Sequence, residues 1–321
     1  MNQKRSERCR SGSVAIVTIL TPDTSEVVSM LGFISRWLHW DFIRMGKGIE
    51  SRYARCSSYW EPHLECTRDF IEAHVEPGGR LAILGAGRLL DIDLKRLIPQ
   101  FSEIHLFDAD PSVIKTWRLT SGVAFREKVI PRILDVTGSL ESWSSGLSSA
   151  RRRGELAEYL DSLSPQRGAW ESERFDGVIS LNLVGQIPLY WRDRVLSAAR
   201  ELSPAEERAL IESMARLQAA HLQGLDQSPR SWSIVITDTE YYTYRVDQPE
   251  WEVEPALHGD VQSALRGEPR RMRRQGIGCW LWHLMPQFVE SEQEGHIHRV
   301  EAAAWKAQSI SSSSAQQGEV L

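Results

Sequence analysis

Asp108, Asn182, Asp238, Glu240 and His63 are the residues whose types and places in the chain could do chemistry. Asp108 ends the apolar run Glu103-Ile-His-Leu-Phe-Asp-Ala-Asp-Pro111 and follows the turn Gly85-Ala86-Gly87 by about twenty residues, the spacing at which a carboxylate receives a ribose diol. Each charge-assisted bond to such an acid is worth roughly 1.5–3 kcal/mol net. Gly85 and Gly87 accept positive φ and leave no side chain between backbone and ligand. Asp238-Thr-Glu240-Tyr-Tyr242 directly follows an apolar run, so acids and phenols come together there. Asp238 or Glu240 could act as a base or as part of a cage for a cation, on which Tyr241 or Tyr242 would stack. Asn182 and Gln186 could orient a nucleophile by hydrogen bonding, or Asn182 could simply close a strand end. His63, three residues after Trp60, could take a proton from an oxygen or nitrogen nucleophile, or could pack against its own helix. His296 and His298 share one strand face, but two histidines without a third ligand do not make a metal site.

The elements that must position these groups can be read from the apolar pattern. Strands are expected at 81–84, 103–108, 129–134, 178–183, 232–237, 277–285 and 296–305. The continuous apolar runs fit strands covered on both faces, and Pro131 places the third strand irregularly or away from the sheet centre. Helical periodicity covers Val28 to His74, as a first stretch with Trp37, Trp40, Ile43 and Met45 and a second pair with Trp60, Leu64, Phe70 and Ile71. Glu76-Pro-Gly-Gly79 breaks it before the first strand. Asp110-Pro111 and Ser203-Pro204 each combine an N-cap with a first-turn proline. Asp91 and Asp93 are expected in the first turns of a helix after the glycine turn, where acids favour the dipole. Residues 138–173 are polar and Ser/Arg-rich, and read as a surface insertion. The arginines from Arg266 to Arg274 form a basic loop, solvated or closing over the site, with contact to an anionic substrate as the other reading. A possible strand at Val14–Leu20 precedes the helical region, and the tail from residue 306 is Ser/Gln-rich and expected to be disordered.

Taken together, Gly-Ala-Gly, Phe-Asp-Ala-Asp-Pro and Phe175-Asp-Gly-Val-Ile-Ser-Leu-Asn-Leu-Val-Gly-Gln-Ile-Pro188 resemble, in order and spacing, the class I S-adenosylmethionine-dependent methyltransferases. The resemblance spans residues from about Gly79 to Trp305, and each motif alone is weak. It implies an α/β, Rossmann-like, doubly wound and mostly parallel seven-stranded sheet, with a C-terminal antiparallel hairpin and an N-terminal helical extension. Residues 1–75 would form a mostly helical lid, 76–305 the cofactor-binding domain and 306–321 a tail. The resemblance implies S-adenosylmethionine as cofactor, with Gly85, Ala86 and Gly87 under its methionine part, Asp108 and Ala109 at the ribose, Asp135 near the adenine and Asn182 facing the methyl group. Asp135 also reads as an ordinary turn starter. The chain has Ile83 where that family often has an acid, and Leu89 where it often has a third glycine. The function expected is methyl transfer to an O or N nucleophile of a small molecule, with His63, Asp238 and Glu240 as candidate catalytic groups.

Composition narrows the alternatives. The chain has 321 residues, enough for one large domain plus an extension, and 38 basic against 43 acidic side chains give a net charge of −5. That argues against a general nucleic-acid-binding surface. Four cysteines without a CxxC pair indicate neither a zinc site nor a disulfide framework, and fit a cytoplasmic protein. The run Val14–Leu20 is too short to span a bilayer, so no membrane partner is expected. A nicotinamide-dependent oxidoreductase shares the turn and the strand-end acid but wants a third glycine where this chain has Leu90. A binding protein that kept the fold without catalysis is the other alternative.

Overall fold

In the computed structural model, residues 36–267 and 271–308 are described. The expected Val14–Leu20 strand, the Trp37 side chain, the middle of the basic loop and the C-terminal tail from residue 309 lie outside them. The first element is helix α1, Arg36–His74. Strands β1 (Arg80–Leu84), β2 (Glu103–Asp108), β3 (Val129–Ile133) and β4 (Gly177–Leu181) follow, with β5 at Trp232–Arg245, β6 at Gln248–Pro255, β7 at Met272–Met285 and β8 at Glu294–Ala307. Between them lie α2 (Leu94–Leu97), α3 (Ile114–Ser121), α4 (Leu140–Arg153), α5 (Leu156–Ser162), α6 (Leu183–Ala198), α7 (Pro204–Gln227) and α8 (Val261–Arg266).

The strands form one sheet in the order β3-β2-β1-β4-β5-β8-β7, with β6 paired to the far end of β5. The first five positions are parallel, with Ile83 opposite Leu106 on one side and Ile179 on the other. β8 runs antiparallel between β5 and β7. This is the doubly wound α/β sheet expected from the sequence, and the chain order reverses between β1 and β4. Pro131 is tolerated because β3 is the outermost parallel strand, where a missing N–H need not break a central ladder.

Four expectations about the fold require correction. Among the described residues the sheet has eight strands: residues 248–255 form β6, every residue of which is exposed, and Pro249 and Pro255 at its ends demote the short Glu-Trp-Glu-Val-Glu alternation as a strand. β5 continues to Arg245, well past the carboxyl edge of β4. Residues 138–173 are built into the core. Leu140, Trp143, Leu147, Ala150, Leu156, Leu160 and Trp170 are buried there, in one layer with Trp191 and Phe175. Their apolar residues recur at helical spacing among serines and arginines, so average polarity concealed one buried face.

The other face of the sheet is covered by α1, α2 and α3, with Trp60, Phe101 and Trp117 in its core. α1 is a single helix of 39 residues, about 58 Å long at 1.5 Å per residue, where two shorter stretches were expected. Its C-terminal half packs on β7: Trp60 donates to the Leu284 carbonyl at 2.9 Å and meets Trp282 edge-on at 4.9 Å. A Cβ on Gly278 would come within 3.0 Å of the Phe70 ring, so glycine there sets how closely helix and strand approach. The N-terminal half passes over the carboxyl edge of the sheet to the opposite layer. There Phe42 stacks on Tyr190 of α6 at 4.7 Å, and Asp41 accepts from Arg194 at 3.3 Å.

Candidate functional site

The carboxyl edge of the sheet gathers most of the expected groups. β1 runs into Gly85 (φ +73°) and Gly87 (φ +47°). The Gly85 and Ala86 amides both donate to Phe107, at 2.9 and 3.0 Å, and the buried Trp117 indole donates to the Gly87 carbonyl at 2.8 Å. The turn is therefore fixed from below, and its two glycines serve different ends. A Cβ on Gly85 would lie 2.7 Å from the Leu181 carbonyl oxygen, whereas one on Gly87 would meet nothing closer than 3.9 Å. Gly85→Ala is expected to cost stability through both a clash and a left-handed backbone, the latter alone about 1–2 kcal/mol. Gly87→Ala carries only the backbone strain, but places a methyl beside Asp108 on the open side. Thermal melting should show Gly85→Ala as the larger loss, and a ligand titration should show Gly87→Ala weakening adenosyl-ligand binding by about tenfold, an overpacking cost near 1.4 kcal/mol.

Asp108 stands opposite this turn. Its Oδ2 accepts the Gly87 amide at 2.7 Å and its Oδ1 the Asp110 amide at 2.8 Å, so one lone pair on each oxygen remains for a diol. Burial pushes the carboxyl up to about 6, against the lowering effect of the Asp110 and Gly87 amides. The folded protein holds this proton more tightly than the unfolded chain, so the stability linked to it is complete below the ordinary carboxyl value of 3.8 and is lost as pH rises through about 6. Diol binding needs the ionised acceptor, so affinity should be full above pH 6 and fall by about tenfold per unit below it, as one-proton linkage requires. Titrations between pH 5 and 8 check this.

Ala109 joins Asp108 to Asp110, which caps the next helix as expected by accepting from the Ser112 amide at 2.8 Å. α1 crosses close above: a Cβ on Gly46 would fall 2.1 Å from the Asp110 carboxylate. Arg88 ties these parts together, donating to Ser112 Oγ at 2.9 Å and lying 3.4 Å from Glu50 of α1. Leu89 has φ +60°, a left-handed conformation that favours glycine.

The chain beyond the turn departs from expectation. Asp91 lies in a bend, Asp93 is the N-cap of α2, accepting from the Arg96 amide, and α2 has only four residues. Asp135 accepts from Thr137 N at 2.9 Å, Thr137 Oγ1 at 2.8 Å and Leu140 N at 2.9 Å. Its carboxylate is thus engaged by its own loop, which is the turn-starter reading.

Asn182 sits at the end of β4 in a left-handed conformation (φ +55°). Its backbone N–H donates to the Ile236 carbonyl at 2.7 Å, while its side-chain Oδ1 is buried and has no hydrogen-bond partner among the described residues. A buried orphan acceptor beside an anchored glycine turn is suited to a ligand's donor.

At the end of β5 a bulge decides which acids face inward. Asp238 pairs with Val300 and Glu240 with Arg299, leaving Thr239 as the extra residue. Simple alternation would put Asp238 and Glu240 on one face. The bulge reverses it. Tyr241 therefore shares the α1 side of the sheet with Asp238, and His298 opposite Tyr241 touches both: its ring lies 4.5 Å from that of Tyr241, and its Nδ1 is 3.2 Å from Asp238 Oδ2. Glu240 faces the other layer, where it accepts from Tyr242 and lies 3.4 Å from Arg299. It is set apart from the expected cluster. Burial raises the Tyr241 hydroxyl well above its ordinary value, and it donates to the Gly185 carbonyl at 3.2 Å.

His63 is buried, with both nitrogens held by protein. The Trp280 indole donates to Nδ1 at 2.9 Å, which leaves Nε2–H for Asp91 Oδ1 at 3.2 Å. No lone pair is left for a substrate. The ring instead stacks on Trp282 at 4.3 Å, whose edge meets His298 at 5.5 Å. His298 was legible only as half of an incomplete metal pair. Among the described residues no cluster of three His, Cys, Asp or Glu side chains could hold a metal. A second histidine pair, Ser180 Oγ to His221 Nε2 at 2.8 Å, has the composition of a nucleophile and base. Both are sealed in the core, and burial lowers His221 to about 4, so the pair joins α7 to β4. In the basic loop, Arg266 pairs with Glu301 at 2.9 Å and Arg271 bonds to Gln227 O at 3.0 Å, which commits these two to the protein itself.

No protein-family model matches the chain, and no curated protein matches it by sequence. Solved structures align with it at low depth. A proposed RNA methyltransferase from Pyrococcus horikoshii is 11% identical, over 71% of this chain and 74% of that one, with a TM-score of 0.32. The magnesium protoporphyrin IX methyltransferase of Synechocystis with bound SAH is 10% identical, over 88% and 94%, at 0.34. An S-adenosylmethionine-dependent methyltransferase from Clostridium acetobutylicum is 9% identical, over 79% and 92%, at 0.34. The strand order and the edge geometry of this molecule, rather than overlaps of that depth, carry the reading of its site.

Proposed function

We propose that this chain is a methyltransferase that binds S-adenosylmethionine at the carboxyl edge of β1, β2 and β4 and methylates an O or N nucleophile of a small molecule. The observation that carries the reading is Asp108, a strand-end carboxylate braced by the Gly87 and Asp110 amides, with acceptor capacity left for a diol beside the crevice where the chain order reverses. The residues fit an adenosyl group: Asp108 accepts the ribose hydroxyls, Gly85 to Gly87 let a ligand approach the backbone, and the orphan Asn182 Oδ1 accepts an amino group. When bound, the sulfonium supplies an activated methyl carbon, so the protein's task is placement at about 3–3.5 Å and exclusion of water. α1, crossing Asp110 at Gly46 and reaching Tyr190 through Phe42, would provide that cover.

The nicotinamide reading is weaker on a specific ground. A dinucleotide site sets its pyrophosphate on the N-terminus of a helix that opens directly from the glycine turn. Here a turn at Arg88, bends at residues 89–91 and two irregular residues intervene, α2 has only four residues, and its cap is an acid.

Hydrogen exchange with and without S-adenosylhomocysteine tests the assignment. The amides of residues 85–88, 108–110, 112 and 41–55 should be protected together. Protection confined to other parts of the sheet would count against it.

A further inference from the structure

Resting on the methyltransferase reading, we infer that His298, oriented by Asp238, is the general base of the reaction, and that the acceptor is a neutral hydroxyl or N–H group that must lose a proton as it is methylated. Three observations converge. Asp238 is 1% exposed, and its Oδ2 lies 3.2 Å from His298 Nδ1. The two lie within ion-pair distance, and Nδ1 has no hydrogen-bond partner of its own among the described residues. Second, that approach directs Nε2 away from Asp238, and no hydrogen bond among the described residues engages it, in contrast to His63 and His221. Third, the Thr239 bulge brings Asp238, Tyr241 and His298 to one face just beyond the Asn182–Ile236 contact that closes β4.

The cationic-substrate alternative loses its acids by the same geometry. Glu240 is turned to the opposite layer and bound by Tyr242 and Arg299, and Asp238 is screened behind an imidazole. In the reaction the acceptor's proton passes to His298 Nε2, its freed electron pair forms the new bond to the methyl carbon, and the carbon–sulfur pair stays with sulfur. Asp238 then stabilises the imidazolium. Tyr241 and Trp282 hold the ring in place, and His63, stacked on Trp282, is a positioning residue.

The test uses the full chain with S-adenosylhomocysteine as probe. Nitrogen-15 spectra of labelled histidine, assigned by His298→Gln, should show His298 with the proton on Nδ1 in the wild type. In Asp238→Asn that preference should be lost, since the amide no longer demands an N–H donor. Diethyl pyrocarbonate should modify His298 while His63 and His221 stay unmodified. Calorimetry should give His298→Gln an affinity for S-adenosylhomocysteine within twofold of wild type. A proton on Nε2, an inert His298, or a tenfold loss of affinity in His298→Gln would overturn the assignment. A wild type that fails to bind S-adenosylhomocysteine would remove the underlying methyltransferase reading, a result separate from the tautomer and reactivity data, and the base would fall with it.

Discussion

Asp108→Ala is expected to weaken S-adenosylhomocysteine binding at least 100-fold in a calorimetric titration while leaving the folded structure in place. The variant removes both acceptors for the ribose diol. At about 1.5–3 kcal/mol for each charge-assisted bond, the pair corresponds to roughly two to four orders of magnitude in the dissociation constant. The cost to the fold should be small for two opposing reasons. The Gly87 and Asp110 amides lose their acceptor, but water can take its place at the edge of the sheet. The protein is also relieved of a carboxylate whose ionisation burial already resists, as its value near 6 shows. Wild-type affinity in this variant would place the nucleoside elsewhere.

The second large effect is expected from Trp60→Ala. Trp60 is 2% exposed, donates to Leu284 O and packs edge-on against Trp282. Truncating a buried tryptophan costs about 3–5 kcal/mol, and the Leu284 carbonyl would lose its partner as well. The loss should extend beyond stability. Trp60 fixes the half of α1 that lies on β7, and the other half covers Asp110 and meets Arg88. Loosening the first should raise exchange of amides 41–55 and reduce adenosyl-ligand affinity without touching a binding residue. Chemical denaturation and exchange together measure this, and a cost below about 1 kcal/mol, the scale of an ordinary surface substitution, would show that α1 is held by something else.

The parallel part of the fold was legible because its strands are continuous apolar runs ended by glycine or acid, and because caps such as Asp110-Pro111 and Ser203-Pro204 mark helix starts by local chemistry. Ser203 and Glu206 form the reciprocal capping pair seen at α7. What failed to show in the sequence has identifiable physical causes. β6 is exposed along its whole length, and its short alternation of Trp251 and Val253 with Glu250, Glu252 and Glu254 is bounded by Pro249 and Pro255, which demote a run as a strand. The buried face of α4 and α5 was hidden among serines and arginines. A bulge leaves no mark on residue type, so the adjacency of Asp238 and Glu240 after the fifth strand gave no sign that the backbone turns them to opposite faces. His298 was missed because its significance lies in a partner sixty residues away on a neighbouring strand. His63 was overvalued for the converse reason: the Trp280 and Asp91 side chains that occupy its nitrogens come from distant parts of the chain. Asp108 and the glycine turn could be read early because their chemistry depends on local backbone and on one strand neighbour.

The most direct measurement of the central claim is a thermal-shift series with S-adenosylmethionine, S-adenosylhomocysteine, NADH and NADPH. A ligand present at one hundred times its dissociation constant stabilises by about 2.7 kcal/mol, which is readily resolved. The adenosyl compounds alone should raise the melting temperature. Stabilisation by a nicotinamide cofactor, or by none of the four, would contradict the account.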